Sequence, residues 1–203
     1  MMWVLVAVLL VGAVLWTMRE SAPAEAFPVD ATMTPLPGGH SEWDGVIRDA
    51  ATNAGLPAET GPLMLKAIIE HESAHTWEPE ILGDPSALCS GVYAVHPDGI
   101  RNGRRTSTAG FCSLGLMQIN RYWNSIYADT YDLLDGPQNI AAGADLVAGL
   151  WNSFQDWDRV LAAYNGGPDA GRSWPSVSAG VRGYVLTVGG TFRRYAGEAG
   201  VTA

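Results

Sequence analysis

The chain has 203 residues, of which 47% are hydrophobic and 16% are charged, and this composition is typical of a folded protein with a proper core. Its formal net charge is −9, and Lys66 is the only lysine among its twelve basic residues. That balance argues against nucleic acid as a partner, because non-specific binding to phosphate needs many cationic contacts.

The first residues form an uncharged apolar segment. Met1 to Trp16 contains no ionisable side chain, and the segment extends to residue 18 if Thr17 and Met18 are included. This length is marginal for a helix that spans a bilayer. The small residues at 21–26 resemble a signal-peptidase site, so the segment is interpreted as an export signal or a membrane anchor. The sequence therefore predicts an exported protein, periplasmic or extracellular, that contacts a membrane through this segment if it is not cleaved.

Residues 19–42 contain four prolines and Gly38-Gly39 without a periodic apolar pattern, and they predict a linker. Helical periodicity begins at residue 43 and predicts one mainly α domain over 43–203. The first helix runs from Trp43 to Ala54, where Gly55 ends it, and the second from Leu63 to about Trp77. Three more are expected: Pro137 to Phe154, Asp156 to Tyr164 and a last one from about Pro175, which carries Val181, Tyr184 and Val188.

Only residues 86–112 lack a helical pattern. Val92 to Val95, followed by Pro97-Asp98-Gly99, predict a β-hairpin in a small irregular lobe inserted at about 80–112. The lobe carries Arg101, Arg104 and Arg105, which favour a solvated loop, with contact to an anionic wall polymer as the alternative.

The only two cysteines of the chain lie in this lobe. In an exported chain Cys89 and Cys112 predict a disulfide, which would stabilise the fold by about 3 kcal/mol in the chain-entropy model. Zinc ligation by the two cysteines with His96 is the alternative, although the close ligand pairs of such sites are missing.

Two carboxylates lie on the second predicted helix. Glu70 lies one turn from Lys66 and predicts an exposed ion pair. Glu72 instead follows Leu65, Ile68 and Ile69 on the apolar stripe, where desolvation would raise its pKa and let it hold a proton near neutral pH. Such a carboxyl suits protonation of a glycosidic oxygen. The alternative is a glutamate at the edge of the stripe that reaches water.

The same segment matches a zinc-binding pattern. His71-Glu72-Ser73-Ala74-His75 has the form H-E-x-x-H, in which two histidines bind zinc and the glutamate activates a water. The extended form of the pattern fails at Glu78, and no third ligand is evident. A zinc peptidase is therefore kept as a less favoured alternative.

Two further strings point to a family. Gly115 to Asn120 reads GLMQIN, and Ala163 to Gly167 reads AYNGG. With Glu72-Ser73 after an apolar helical run and Tyr184 in a late helix, the chain resembles the soluble lytic transglycosylase (SLT) domain family, relatives of goose-type lysozyme. The strings occur in family order over roughly residues 43–195.

The resemblance implies a lysozyme-like α+β fold and cleavage of the β-1,4 bond between N-acetylmuramic acid and N-acetylglucosamine in peptidoglycan, with a 1,6-anhydromuramic product. It implies Glu72 as the catalytic acid and base, with no cofactor and no metal. The residues implied to bind or orient the substrate are Ser73, Met117, Gln118, Tyr164, Asn165 and Tyr184. A goose-type muramidase on the same site is the alternative, and a non-catalytic glycan-binding protein would require a defective site. Bacterial and phage origins stay open.

The residue types of these strings also allow an interpretation without the family resemblance. Gly115 would let the backbone approach a sugar, Met117 would offer an adaptable apolar surface, and Gln118 would supply an amide donor and acceptor. The alternative for this stretch is a helix start with core residues. Asn165 is equally explained by helix capping, and Tyr184 by core packing.

Overall fold

The computed structural model describes residues 34–83 and 112–202. The apolar segment 1–18, most of the linker and the predicted hairpin near residue 95 lie outside the described residues. No helix in the described ranges is both long and apolar enough to cross a membrane.

The helices of the described residues are a 3₁₀ turn (Ser41–Trp43), α1 (Asp44–Asn53), α2 (Gly61–Glu72), α3 (Ser125–Thr130), α4 (Gly136–Phe154), α5 (Trp157–Gly166), α6 (Pro168–Ser173) and α7 (Ala179–Ala199).

Helix α2 runs through the centre of the domain. Every residue from Gly61 to Ile69 is buried, because α2 packs against α1, α4 and α7. A helix that is apolar nearly all round has to be enclosed on all sides. The catalytic candidate Glu72 is its last residue. The core therefore fixes the position of the carboxylate.

Helix α2 ends five residues earlier than the periodicity predicts. Ala74, His75 and Trp77 all have positive φ angles of 49–63°, which no α-helix can contain. Ser73 is the C-cap residue, and the amide of His75 bonds back to the carbonyl of Glu70 at 3.0 Å. Trp77 is nonetheless buried, so this irregular turn is held by the core.

The predicted surface pair of Glu70 and Lys66 is wrong. Lys66 is fully buried, and its Nζ lies 2.6 Å from Asp44 Oδ1 and 3.2 Å from the carbonyl of Leu36. Since α2 is enclosed, an ammonium group at this position needs a buried partner, which α1 supplies. Glu70 instead pairs with His75 at 3.4 Å and with Arg194 of α7 at 3.7 Å.

The last residues of the predicted linker are docked on the domain. Leu36 is buried, and its amide donates to Asp44 Oδ2 at 2.8 Å. The ring of His40 stacks on Trp77 with 4.8 Å between centroids. Gly38, with a φ of 96°, passes so close to Tyr195 that a Cβ there would lie 2.1 Å from the phenol oxygen. The ordered domain therefore includes residues that precede the first predicted helix.

A two-stranded antiparallel sheet forms the second structural layer. Strands β1 (Ser113–Leu114) and β2 (Ile119–Asn120) pair in the register Ser113 with Asn120 and Leu114 with Ile119. The predicted fold class is confirmed, since the described part of the domain is mainly helical with one small sheet. The GLMQ string is the turn between the two strands rather than a helix start.

The C-terminal helices follow the sequence signals closely. Asp135 caps α4 through its side chain, which accepts from the amide of Gln138. Asp156 caps α5 and Ser178 caps α7 in the same way. Helix α7 begins four residues later than expected and buries the stripe that includes Tyr184. It packs on α2 and α5 and so brings this stripe to the end of α2.

Candidate active site

A cleft of about 870 Å³ opens at the C-terminal end of α2. Glu72 lies at the cleft wall, between the small sheet on one side and the end of α5 on the other. The lining residues with carboxyl, hydroxyl or amide side chains are Glu72, Ser113, Gln118, Asn120, Asn124, Tyr164 and Asn165. Glu72 is the only one of the described lining residues that carries an ionisable carboxyl, and none of them is cationic.

The environment of Glu72 favours the protonated carboxyl. Burial raises its pKa from 4.5 to about 7, because the low-dielectric surroundings disfavour the charged form, and the hydroxyl of Tyr184 opposes this effect. Tyr184 donates a hydrogen bond of 2.7 Å to Glu72 Oε1. A carboxyl with a pKa near neutrality can give up a proton and take one back in the same reaction cycle.

Two tyrosines connect Glu72 to the GLMQ turn. Tyr184 lies parallel to Tyr164, with 6.5 Å between ring centroids and 13° between planes. The hydroxyl of Tyr164 donates to the carbonyl of Met117 at 2.6 Å. Burial and the nearby Glu72 carboxylate hold the pKa of both tyrosines well above the usual value, so both phenols stay protonated as donors. His71 meets the ring of Tyr184 edge-on at 5.0 Å.

Met117 and Gly115 play parts other than those expected from their residue types. The Met117 side chain is fully buried, and its sulfur occupies the space left by Gly143, where a Cβ would lie 2.1 Å away. It therefore offers no surface to a sugar, and only its carbonyl takes part in the site. Gly115, at φ 73°, leaves room for Asn139 and for the carbonyl of Leu133, which would lie 2.3 Å from an added Cβ. Its role is to form the turn and not to admit substrate.

Gln118 of the GLMQ turn and Asn165 of α5 both line the cleft. Gln118, at φ 46°, lines the cleft, and its Nε2 donates to the carbonyl of Gly115 at 2.9 Å. Asn165 lies exposed in the last turn of α5. Ser73 is fully buried beside Glu72, and its hydroxyl has no hydrogen-bond partner among the described residues. One cleft is thus lined by Glu72, Gln118, Tyr164 and Asn165. Ser73 is buried and does not line this cleft.

The H-E-x-x-H alternative requires both histidines on one face of a single helix. Helix α2 ends at Glu72, and His75 lies three residues beyond it in a left-handed backbone conformation. In the parts of the chain that the structure describes, no three His, Cys, Asp or Glu side chains are grouped to hold a metal ion. The local geometry therefore does not support the zinc pattern.

Several residues that build the site are not among the site residues that the sequence predicts. Asn139 of α4 is fully buried and holds the GLMQ turn through Met117 N at 2.7 Å and the carbonyls of Leu114 and Leu133, each at 2.9 Å. Asn120 and Trp123 line the cleft just after the turn. Asn120 ends the GLMQIN string and Trp123 follows it closely, whereas no sequence signal marks Asn139. Cys112 also lines the cleft, whereas Cys89 lies outside the described residues, so their pairing stays a prediction.

In the described residues, a helical fold with one small sheet and one ionisable carboxyl in a polar cleft are the features of a lysozyme-like domain. The family model described as "Transglycosylase SLT domain" matches residues 49–182, which is well over half of the chain. The chain belongs to this family, whose domain acts on peptidoglycan in the manner of lytic transglycosylases. A search of curated proteins finds no match to the chain.

Proposed function

We propose that this protein is a peptidoglycan lytic transglycosylase that cleaves the β-1,4 bond between N-acetylmuramic acid and N-acetylglucosamine, with Glu72 as its acid and base. The observation that carries the proposal is the raised pKa, about 7, of a carboxyl that is alone among the described residues of its cleft. Family membership supplies the substrate class.

In the first step the protonated Glu72 donates its proton to the glycosidic oxygen. The bond from muramic C1 to that oxygen breaks, and its electron pair stays on the departing N-acetylglucosamine. Positive charge develops at C1, where the neighbouring acetamido group can stabilise it. Near neutral pH a substantial fraction of Glu72 is protonated, because its pKa is about 7.

In the second step the Glu72 carboxylate acts as the base. It takes the proton of the muramic 6-hydroxyl, and O6 bonds to C1 to close the 1,6-anhydro ring. The proton returned to Glu72 restores the starting state, so no water and no cofactor are consumed. Tyr184, 2.7 Å from Oε1, stabilises the carboxylate that exists between the two steps. An internal hydroxyl reacts readily because it is held close to C1.

Most glycoside hydrolases use a second carboxylate beside the acid. Retaining glycosidases place a second carboxylate about 5–5.5 Å from the acid, and inverting ones about 6.5–9.5 Å away. The next acidic residues along the chain are candidates for this second carboxylate, but Glu78 and Glu80 do not line the cleft, and Asp84 and Asp98 lie outside the described residues. The geometry of the described site therefore favours the intramolecular route over a goose-type muramidase.

The polar side chains of the cleft suit an uncharged glycan. Gln118, Asn120, Asn124 and Asn165 present amides, which can bond to acetamido and hydroxyl groups without a fixed charge. The proposed site of action is outside the cytoplasm, and residues 1–18 would direct the domain there as a signal or an anchor.

The test is the chemistry of the product ends. Purified peptidoglycan is digested with the wild-type protein, and the soluble fragments are analysed by mass spectrometry before and after borohydride reduction. The proposal predicts anhydromuramic ends, one water lighter than reducing ends and inert to borohydride. Reducing ends throughout would show a muramidase and overturn the transglycosylase proposal.

A further inference from the structure

Trp123 is exposed to a degree that packing does not explain. The large apolar side chains most exposed in the described residues are Tyr122, Trp123, Ile126 and Leu186, and Trp123 leads them at 73%. It is also the one of these four that lines the cleft. Leaving an indole in water forgoes about 2–3 kcal/mol of burial energy, so an exposed tryptophan inside a binding cleft calls for a partner.

The backbone around Trp123 is fixed although its ring is exposed. Asn120 Oδ1 accepts from the amides of Tyr122 at 3.1 Å and Trp123 at 3.2 Å. The amide of Asn124 bonds to the carbonyl of Asn120 at 2.9 Å. The ring of Tyr122 meets that of Trp123 edge-on, with 4.7 Å between centroids and 88° between planes. The turn after β2 therefore presents the indole in a preformed position, which reduces the entropy lost on binding.

The surroundings of the indole match the chemistry of an amino sugar. A pyranose ring in a β-linked strand has a face of C–H groups, which packs on the electron-rich face of an indole and displaces water from both. Asn120 and Asn124, which flank Trp123 on the cleft wall, carry amides that can bond to acetamido and hydroxyl groups. A purely aliphatic ligand would make no hydrogen bonds with these amides.

We propose that Trp123, with Asn120 and Asn124, forms a sugar subsite on which one N-acetylhexosamine ring of the glycan strand stacks. The subsite rests on the proposed function for its substrate class and supplies binding rather than chemistry, since an indole has no proton to transfer at neutral pH. It lies in the same cleft as Glu72 but on the β2 side, so it holds the strand in register with the acid.

The test is binding of the β-1,4-linked N-acetylglucosamine tetramer, measured by isothermal titration calorimetry in a Glu72→Gln background so that no turnover occurs. Trp123→Ala should raise the Kd about tenfold or more, as removal of an aromatic anchor does, and Trp123→Phe should restore part of the affinity. Ile126→Ala is the matched control, because Ile126 is 70% exposed and lies three residues further on but does not line the cleft.

An unchanged Kd in Trp123→Ala, an equal loss in Ile126→Ala, or no tetramer binding to the Glu72→Gln protein would each overturn the subsite. Circular dichroism of each variant establishes that the fold is kept. A failure of the proposed function is distinguishable from a failure of the subsite. The wild-type protein would then give reducing ends, while tetramer binding would still depend on Trp123. On soluble glycan fragments the Trp123→Ala change should raise KM more than it lowers kcat.

Discussion

Replacing Glu72 by glutamine should stabilise the protein at alkaline pH. The pKa of Glu72 rises from 4.5 to about 7 on folding, chiefly because burial disfavours its charge. A group with a raised pKa in the folded state contributes stability that is fully present below its unfolded pKa and is lost as pH rises through the folded value. The wild type therefore loses stability between about pH 4.5 and 7, and a neutral glutamine does not.

The magnitude follows from the two pKa values. A pKa raised from 4.5 to about 7 corresponds to a free-energy difference on the order of 3 kcal/mol. About 1 kcal/mol of this is already lost at pH 5, so between pH 5 and pH 8 the wild type should lose about 2.5 kcal/mol relative to Glu72→Gln. Any constant difference between a glutamine and a protonated glutamate at this position cancels in the comparison.

Urea denaturation of both proteins at pH 5 and pH 8 measures this difference. Glu59→Gln, a change at an exposed carboxyl, reports the effect of removing a surface acid. A Glu72→Gln gain that is the same at both pH values, or that is larger at pH 5, would refute the claim that burial keeps this carboxyl protonated.

The hydrogen bond from Tyr184 lowers the pKa of Glu72, so Tyr184→Phe should raise that pKa and move the alkaline limb of kcat/KM to higher pH; a limb that moves to lower pH would contradict this. Lys66→Met would leave Asp44 buried without its cation and should cost about 3–5 kcal/mol in urea denaturation. A loss below 1 kcal/mol would mean that the pair is dispensable. Cys89 and Cys112 should form a disulfide, and two free thiols in unfolded, unreduced protein would exclude it.

The sequence predicted the helical framework because the relevant signals are local. The capping side chains of Asp135 and Asp156 and the apolar periodicity of α4, α5 and α7 depend on neighbours within a few turns. The early end of α2 was missed, because the positive φ angles after Ser73 are imposed by the core that buries Trp77. Helices α3 and α6 have only six residues each and were missed too, since they are too short to show a period.

At the site, the sequence could indicate that Glu72 is desolvated but not what would contact it. Its hydrogen bond to Tyr184 joins residues 112 positions apart, and such a contact follows only from the packing of α2 on α7. The same limit explains why the sequence predicts a surface pair for Lys66, since its partner Asp44 lies on another helix. The residue type of Met117 predicts a surface for the substrate, whereas its burial against Gly143 depends on the tertiary fold.

The most direct test of the central claim is the rate of peptidoglycan cleavage by Glu72→Gln beside that of Glu70→Gln. Both changes remove one carboxyl from the last turn of α2, but only Glu72 lines the cleft, whereas Glu70 pairs with His75 and Arg194. Release of soluble fragments should fall at least ~100-fold in Glu72→Gln, the loss typical of a missing general acid and base, and should stay close to wild type in Glu70→Gln. Wild-type rates in Glu72→Gln, or an equal loss in both variants, would contradict the assignment of Glu72 as the catalytic residue.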